Sequence, residues 1–253
     1  MSLRVALCQI GSSEDMEENL HRVEEVVSST DADLFLFPEM FLTRYGNWRL
    51  DDYDPASALN TLSEICVEHG VAIAMGMPVK NGNGLRNSLA FITPETRVCY
   101  DKLYLANFPP YDEDVFTPGS KPVMVEWRGF RLGLLICYDV MFPEIHRHYA
   151  VNGADAVLMA SASAMKSETA MCRVLPARSL ENTVYTLFCN NTGEGPAGRY
   201  FGGSAAYSPL GDTIARASGG DEVLVVTLEK GEIARAREVR HHLRDLRTDI
   251  DWC

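Results

Sequence analysis

Short apolar segments alternate with amphipathic helical patterns along most of the chain. The first segment, "LRVALCQI", predicts a strand, and Leu20, Val23, Val26 and Val27 then recur at the spacing of one helix face. Further strands are predicted at "DADLFLFP", "VAIAMGMPV", "SLAFIT", "RVCYDKL", "FRLGLLIC", "DAVLMAS", "VYTLFCNN", "GGSAAY" and "DEVLVVTLE", and further helices at "SALNTLSEICVEH", "FPEIHRHYAVNGA" and "SETAMCRVLPARSLENT".

Interleaved strands and helices, with several hairpin patterns, predict an α/β fold in layers of helix, sheet, sheet and helix. A chain of 253 residues can form one such domain, so we expect residues 1–253 to be a single domain. Gly70 should cap the second helix, and Pro176 should kink or interrupt the fourth. The tail, residues 230–253, is expected to be a charged helix with an irregular end that could pack on a partner subunit.

Composition excludes several classes of protein. The formal net charge of −12 argues against a nucleic-acid partner, which requires a basic face. No apolar run is long enough for a membrane span, and the first ten residues already alternate like a strand rather than resembling a secretory signal. We therefore expect a cytoplasmic protein whose partner is a small molecule.

The seven cysteines are scattered and form no C-x-x-C pair, which predicts neither a disulfide framework nor a zinc site. Most should be small, buried apolar residues. Phosphate-binding and dinucleotide-binding glycine motifs are also missing, so we predict no metal and no cofactor.

Three strands end in residues that can carry chemistry. Glu39 follows "FLFP", Lys102 follows "VCYD", and Cys137 ends "FRLGLLIC". Strand ends present side chains to a shared crevice. Taken singly, each residue is better explained as a turn acid, a solvated lysine or a core thiol. A long irregular segment, residues 106–122, is expected to be functional, because ordered loops of that length usually are.

The chain resembles the nitrilase superfamily of carbon–nitrogen hydrolases. The resemblance covers nearly all of it, through "FPEMFLT", "YDKLYL", "CYDVMFPE", "GADAVLMASA", "ARSLENTVY" and "GGSAAYSPLGD". It implies a four-layer α-β-β-α sandwich with mixed sheets, and a homodimer or higher homo-oligomer. The stretches "LPARSLENTV" and "LRDLRTDI" look most like the small-molecule amidases of the superfamily.

The resemblance also implies roles for individual residues. Cys137 would be the nucleophile and Glu39 the base, and Lys102 with the backbone N–H of Tyr138 would stabilise the oxyanion. Glu113 matches the second glutamate of the family, which orients the lysine, although Asp112 and Asp114 are its neighbours. The expected reaction hydrolyses a small carboxamide through a thioester, with N-carbamoyl compounds, dicarboxylic monoamides and nitriles as alternative substrates, or a non-catalytic scaffold as an alternative of another class.

Substrate specificity is the part least determined by the sequence. Met141 stands where many family members have an arginine. The residues expected near the pocket are Met141, Phe142, Ala162, Met165 and Lys166. Lys166 could hold a substrate carboxylate if it points inward, but we expect it to be solvated.

Other polar residues around the nucleophile are expected to be structural. Asp139 and Glu144 should support the turn after Cys137, and Arg178 should fix neighbouring layers through ion pairs or hydrogen bonds. His146 and His148 lie inside the following helix, where they should point away from the thiol.

Overall fold

The computed structural model describes residues 1–48, 50, 53–81, 84–109, 111–247 and 249–250. Its strands are β1 (Ser2–Gln9), β2 (Leu34–Leu36), β3 (Ala72–Asn81), β4 (Gly84–Ile92), β5 (Arg97–Asp101), β6 (Met124–Trp127), β7 (Phe130–Ile136), β8 (Ala156–Ser161), β9 (Tyr185–Asn190), β10 (Glu194–Gly195), β11 (Gly198–Arg199), β12 (Ala205–Tyr207), β13 (Thr213–Arg216) and β14 (Glu222–Glu229). Its α-helices are α1 (Met16–Ser29), α2 (Pro55–His69), α3 (Pro143–Val151), α4 (Glu168–Asn182) and α5 (Lys230–Val239), and Cys137–Met141 and Met165–Ser167 are short 3₁₀ helices.

Most strands of the described chain form two mixed sheets of six strands each. The first has the order β14-β1-β2-β3-β4-β5, and the second the order β13-β12-β9-β8-β7-β6. In each sheet three neighbouring strands are parallel, β1 to β3 in the first and β7 to β9 in the second, and the outer pairs are antiparallel. The predicted α/β class with mixed sheets is confirmed.

Successive residues of each strand point to opposite faces of its sheet, and this alternation produces the layers of the fold. On β1, Leu3, Val5 and Leu7 enter a core shared by both sheets, whereas Ala6 and Cys8 face the core beneath α1 and α2. Strands β7 to β9 likewise contribute to the shared core and to a third core beneath α3 and α4. Because successive strand residues point to opposite faces, each sheet packs on the other sheet on one side and on helices on the other. The predicted four-layer sandwich is therefore confirmed.

Helix ends follow the local sequence, with one exception. Gly70 caps α2 in the left-handed conformation at φ +65°, as predicted. The predicted interruption at Pro176 is wrong, because α4 continues through this proline from residue 168 to residue 182. In the described ranges, no helix is both long and apolar enough to cross a membrane.

The tail is helical over a short length only. Helix α5 ends at Val239, and residues 240–247 are irregular, as predicted for the end of the tail. Ile233 of α5 packs into the core between the sheets, and Arg237 donates a hydrogen bond to the Ala154 carbonyl at 3.1 Å. The last three positions, including Cys253, lie outside the described residues.

Candidate active site

Both sheets contribute to one buried polar site. Glu39 follows β2 and Lys102 follows β5, both in the first sheet, while Cys137 immediately follows β7 in the second. Strand β5 is antiparallel to β4, which is antiparallel to β3, so β5 runs in the same direction as β2 and β3 and its carboxyl end lies at the same edge of the first sheet. The carboxyl ends of β2, β5 and β7 thus bring these residues together. The site therefore depends on the packing of one sheet against the other.

Close backbone contact fixes the position of Glu39. A Cβ atom at Gly76 on β3 would lie 2.6 Å from the Glu39 Cα and would also collide with the Pro38 carbonyl, so only glycine fits there. The Asn191 side-chain amide donates to the Glu39 carbonyl at 2.9 Å. Both contacts hold the glutamate backbone without using its carboxylate.

A buried ammonium group joins two glutamates. The Lys102 Nζ lies 2.7 Å from the Glu39 Oε1 and 2.7 Å from the Glu113 Oε1, and all three side chains are at most 1% exposed. The Asn87 amide also donates to the Glu39 Oε1 at 2.8 Å. In contrast, the Glu39 Oε2 is buried and has no hydrogen-bond partner among the described residues. One carboxylate oxygen is thus anchored and the other is available to accept a proton.

Glu113 is held by the long loop that carries it and by Tyr45 from another part of the chain. The Tyr45 hydroxyl donates to its Oε1 at 2.7 Å, and the Ala106 N–H donates to its Oε2 at 2.8 Å. Asp112 and Asp114 are exposed, so burial distinguishes Glu113 from its acidic neighbours. The residues of the loop thereby build one wall of the polar site.

Burial and charge act in opposite directions on the three groups. Burial, reinforced by the Glu113 charge, raises the pKa of Glu39 although Lys102 opposes this. Burial also disfavours the charged forms of Lys102 and Glu113. Their mutual attraction outweighs it, so the pKa of Lys102 stays well above its usual range and the pKa of Glu113 falls below its own. Glu39 is therefore the carboxylate of this pair that takes up a proton more readily.

Cys137 stands at a strained turn between strand and helix. Its φ of +44° lies in the left-handed region, which costs a residue with a side chain about 1–3 kcal/mol. Asp139 stabilises the turn by accepting hydrogen bonds from the Tyr100 hydroxyl at 2.7 Å and the Tyr104 N–H at 2.8 Å. The Arg178 Nε donates to the Val140 carbonyl at 2.9 Å. These contacts agree with the structural roles predicted for Asp139 and Arg178, whereas Glu144 is exposed.

The Cys137 thiol is protonated at neutral pH. Burial, assisted by the negative charge of Glu39, raises its pKa to about 12, although Lys102 and hydrogen bonds from Ser161 and the Ala162 backbone oppose the rise. Its Sγ also lies 3.6 Å from the Ser163 Oγ. The thiol consequently needs a base at the moment of attack.

A cavity of about 230 Å³ opens beside Cys137. Of the five predicted pocket residues, Met141 and Lys166 line it and Phe142, Ala162 and Met165 do not. The described residues that line it are Tyr45, Ala106, Phe108, Tyr111, Cys137, Tyr138, Met141, Ser163, Lys166, Ser167 and Met171. The lining is largely aromatic and apolar, with the thiol on one side.

The predicted pocket residues outside the lining have other contacts. The Phe142 ring stacks on Tyr104 at 3.4 Å between centroids, Met165 is 51% exposed, and Ala162 is buried in an apolar cluster that also contains Met40 and Tyr45. Ala162 nevertheless contributes its backbone N–H to the Cys137 thiol. In the described part of the chain, no three His, Cys, Asp or Glu side chains are grouped as a metal would require.

Sequence patterns did not identify three of the polar residues of the site: Asn87, Tyr45 and Ser163. A signal existed for Asn87, since asparagine is depleted in strands and this one lies within β4. His146 makes no hydrogen bond to the Cys137 thiol, because both of its ring nitrogens are buried without a hydrogen-bond partner among the described residues. Burial and the nearby Arg178 charge lower the pKa of His146 to about 3.

Comparison with known proteins shows the family of the chain. A family model described as carbon–nitrogen hydrolase matches residues 4–238. The chain is 32% identical to an (R)-stereoselective amidase from Pseudomonas sp., over 97% of this chain and 92% of that protein. It is 28% identical to the 2-oxoglutaramate amidase of Bacillus subtilis, over 92% of this chain and 93% of that protein.

The crystal structure of an amidase from Nesterenkonia sp. has the same fold. It superposes with a TM-score of 0.81 at 28% sequence identity, covering 96% of each chain. The family model spans nearly the whole sandwich, including the strand ends that carry the buried site. The chain is an enzyme that hydrolyses carbon–nitrogen bonds and belongs to the carbon–nitrogen hydrolase family, within the nitrilase superfamily.

Proposed function

We propose that this chain is an amidase that hydrolyses a small carboxamide to a carboxylic acid and ammonia through a thioester on Cys137. The observation that carries the proposal is the arrangement of charge at the site. A buried ammonium group contacts two carboxylates at 2.7 Å, and the thiol they influence lines an adjoining cavity. A nucleophile, a base and an oxyanion cation are the three parts that amide cleavage requires.

Glu39 acts as the general base. Its raised pKa and unpartnered Oε2 suit it to receive the Cys137 proton as the sulfur attacks the amide carbon. The thiol pKa of about 12 means that little thiolate exists beforehand, so proton transfer and attack are coupled. The same proton then passes to the departing nitrogen, which leaves as ammonia.

Lys102 stabilises the oxyanion that forms during attack. An ammonium group has three N–H donors, and two of them point to Glu39 and Glu113, which leaves the third for the substrate oxygen. The backbone N–H of Tyr138 is a second donor, because the first N–H groups of a helix have no partner within it. Glu113 positions Lys102 and does not itself react.

Water completes the cycle. With ammonia gone, Glu39 takes a proton from a water molecule that attacks the thioester carbonyl, and Cys137 leaves as the thiol after regaining that proton. The acid is released and Glu39 is again a carboxylate. Each step uses groups within this one site.

The choice of a carboxamide rests on the relatives. The two curated relatives described above are named as amidases. N-carbamoyl compounds, dicarboxylic monoamides and nitriles use related thiol chemistry and form the comparison panel for the assay.

Substitution of the nucleophile tests the proposal. Cys137→Ala should abolish ammonia release from the amide panel while the circular dichroism spectrum stays that of the wild type. Cys99→Ala, which removes another half-buried thiol, is the matched control and should keep its activity. Mass spectrometry of the wild type, quenched during turnover, should detect the acyl group on the peptide containing Cys137. Turnover by Cys137→Ala, or an acyl group elsewhere, would contradict the proposal.

A further inference from the structure

Lys166 lies at the cavity that Cys137 lines. It belongs to the short 3₁₀ helix Met165–Ser167, and its Nζ lies 4.7 Å from the centroid of the Tyr111 ring. This cation–π contact holds the ammonium group at the wall of the cavity although the side chain is exposed overall. The expectation of a simply solvated lysine is therefore incomplete.

The Lys166 ammonium group has no protein carboxylate as a partner. Among the described residues, no acidic oxygen lies within 4.0 Å of its Nζ. Of the described residues that line the cavity, Lys166 is the one with a basic side chain. An unpaired cation at a largely apolar wall suits an anionic ligand group.

The negative charge of the buried Glu39, Lys102 and Glu113 group makes the Lys166 cation important for binding an anionic substrate. Lys102 compensates one of the two carboxylates of Glu39 and Glu113, which leaves a formal charge of about −1 beside the thiol. A negatively charged substrate would be repelled unless a cation held its distant end. Lys166, which follows β8 of the second sheet, supplies that cation, whereas Glu39 and Lys102 follow strands of the first sheet.

The cavity is small, which favours a short substrate. Its volume of about 230 Å³ lies below the roughly 300–1,000 Å³ of pockets that hold drug-sized ligands. A four-carbon chain with a carboxamide at one end and a carboxylate at the other is a short substrate of this kind.

We propose that Lys166 binds the carboxylate of the substrate, so that the preferred substrates are short carboxamides with a carboxylate at the other end. This inference rests on the proposed amidase function and names its substrate class. The competing explanation is that the stem of Lys166 only packs on Tyr111 and the ammonium group serves solubility.

Paired substrates and paired variants distinguish the two explanations. Succinamate carries the carboxylate, and 4-oxopentanamide is a neutral molecule of the same shape. Lys166→Met retains an apolar stem, and Lys121→Met removes an exposed lysine elsewhere. We expect Lys166→Met to lower kcat/KM for succinamate about tenfold, the effect of losing a charged hydrogen bond of about 1.4 kcal/mol. Its kcat/KM for 4-oxopentanamide should stay within about twofold of the wild type, and Lys121→Met should change neither.

An equal loss on both amides, or no loss on succinamate, would overturn the role of Lys166 while leaving the amidase function intact. If the wild type releases ammonia from other amides of the panel but from neither of these two, the inferred substrate class is wrong, and if it releases ammonia from no compound of the panel, the proposed function fails instead. Calorimetric binding of succinate then still tests Lys166, because the wild type should bind it about tenfold more tightly than Lys166→Met. Equal affinity in the two proteins would refute the inference.

Discussion

Removal of the buried ammonium group should destabilise the protein in a way that depends on pH. In Lys102→Met, the carboxylates of Glu39 and Glu113 lose the cation that lies 2.7 Å from each, and they remain buried beside one another. Breaking a buried ion pair by removing one partner costs about 3–5 kcal/mol. At 1.36 kcal/mol per pKa unit, this corresponds to a combined rise of about two to four units in the carboxyl pKa values.

The direction of the pH dependence follows from those raised pKa values. A carboxyl group whose pKa is higher in the folded protein binds a proton more tightly there than in the unfolded chain. The deficit of the variant therefore shrinks as the pH falls toward about 4.3, and it is smallest below the lowered pKa that Glu113 has in the wild type. The deficit should grow as the pH rises through the folded-state pKa and reach its full size near pH 8.

Urea unfolding at pH 5 and at pH 8, followed by circular dichroism, measures this directly. Lys102→Met should lose about 3–5 kcal/mol of stability relative to the wild type at pH 8, or roughly 6–20 °C in Tm, and less than this at pH 5. Lys121→Met is the control for removing a lysine and should match the wild type at both values. An equal deficit at the two pH values would show that the carboxylates are not the cause.

Three further outcomes are expected. The kcat/KM of the wild type should fall as the pH drops through the raised pKa of Glu39. The acid limb of the pH profile should therefore lie above about pH 4.3, the ordinary pKa of a glutamate. A kcat/KM that stays constant down to about pH 4.3 would contradict the role of Glu39 as base. Arg178→Met should lower kcat more than it raises KM, because the turn that carries Cys137 loses a hydrogen bond at its end; a change in KM alone would place Arg178 in substrate binding. Gly76→Ala should lower activity at least tenfold, because the added Cβ would displace Glu39. Gly220→Ala should remain active, because a Cβ added there has no neighbour within 4 Å. Similar activities of the two variants would show that the close approach of Gly76 to Glu39 does not matter for catalysis.

The ends of strands were predictable because their causes are local. The apolar runs before Glu39, Lys102 and Cys137 form buried strands, and the change to polar residues marks where each strand stops. The resemblance in sequence then indicated which strand ends belong together. The four layers follow from the alternation of residues along the strands. Each sheet buries one face against the other sheet and the other face against helices, so apolar residues are needed on both faces of its strands.

The finer parts of the site depend on contacts between distant residues. Tyr45 reaches Glu113 from another loop, and Lys166 meets Tyr111 only because two connections fold over the same cavity. The protonated state of Cys137 depends on burial and on the Glu39 charge, which no local pattern reports. The contact of the tail with a second subunit stays a prediction.

Pairing of the last strand with the first affects how the protein is made. Strand β1 lies between β2 and β14 in the sheet, yet β14 begins only at Glu222. During synthesis, at about 5–20 residues per second, one edge of β1 therefore stays without its partner for roughly 10–40 s. An open strand edge pairs readily with other chains, so nascent or truncated forms that lack β14 are exposed to aggregation. The first sheet, which contains the first five strands of the chain, is therefore complete only after the last strand, β14, has been synthesised.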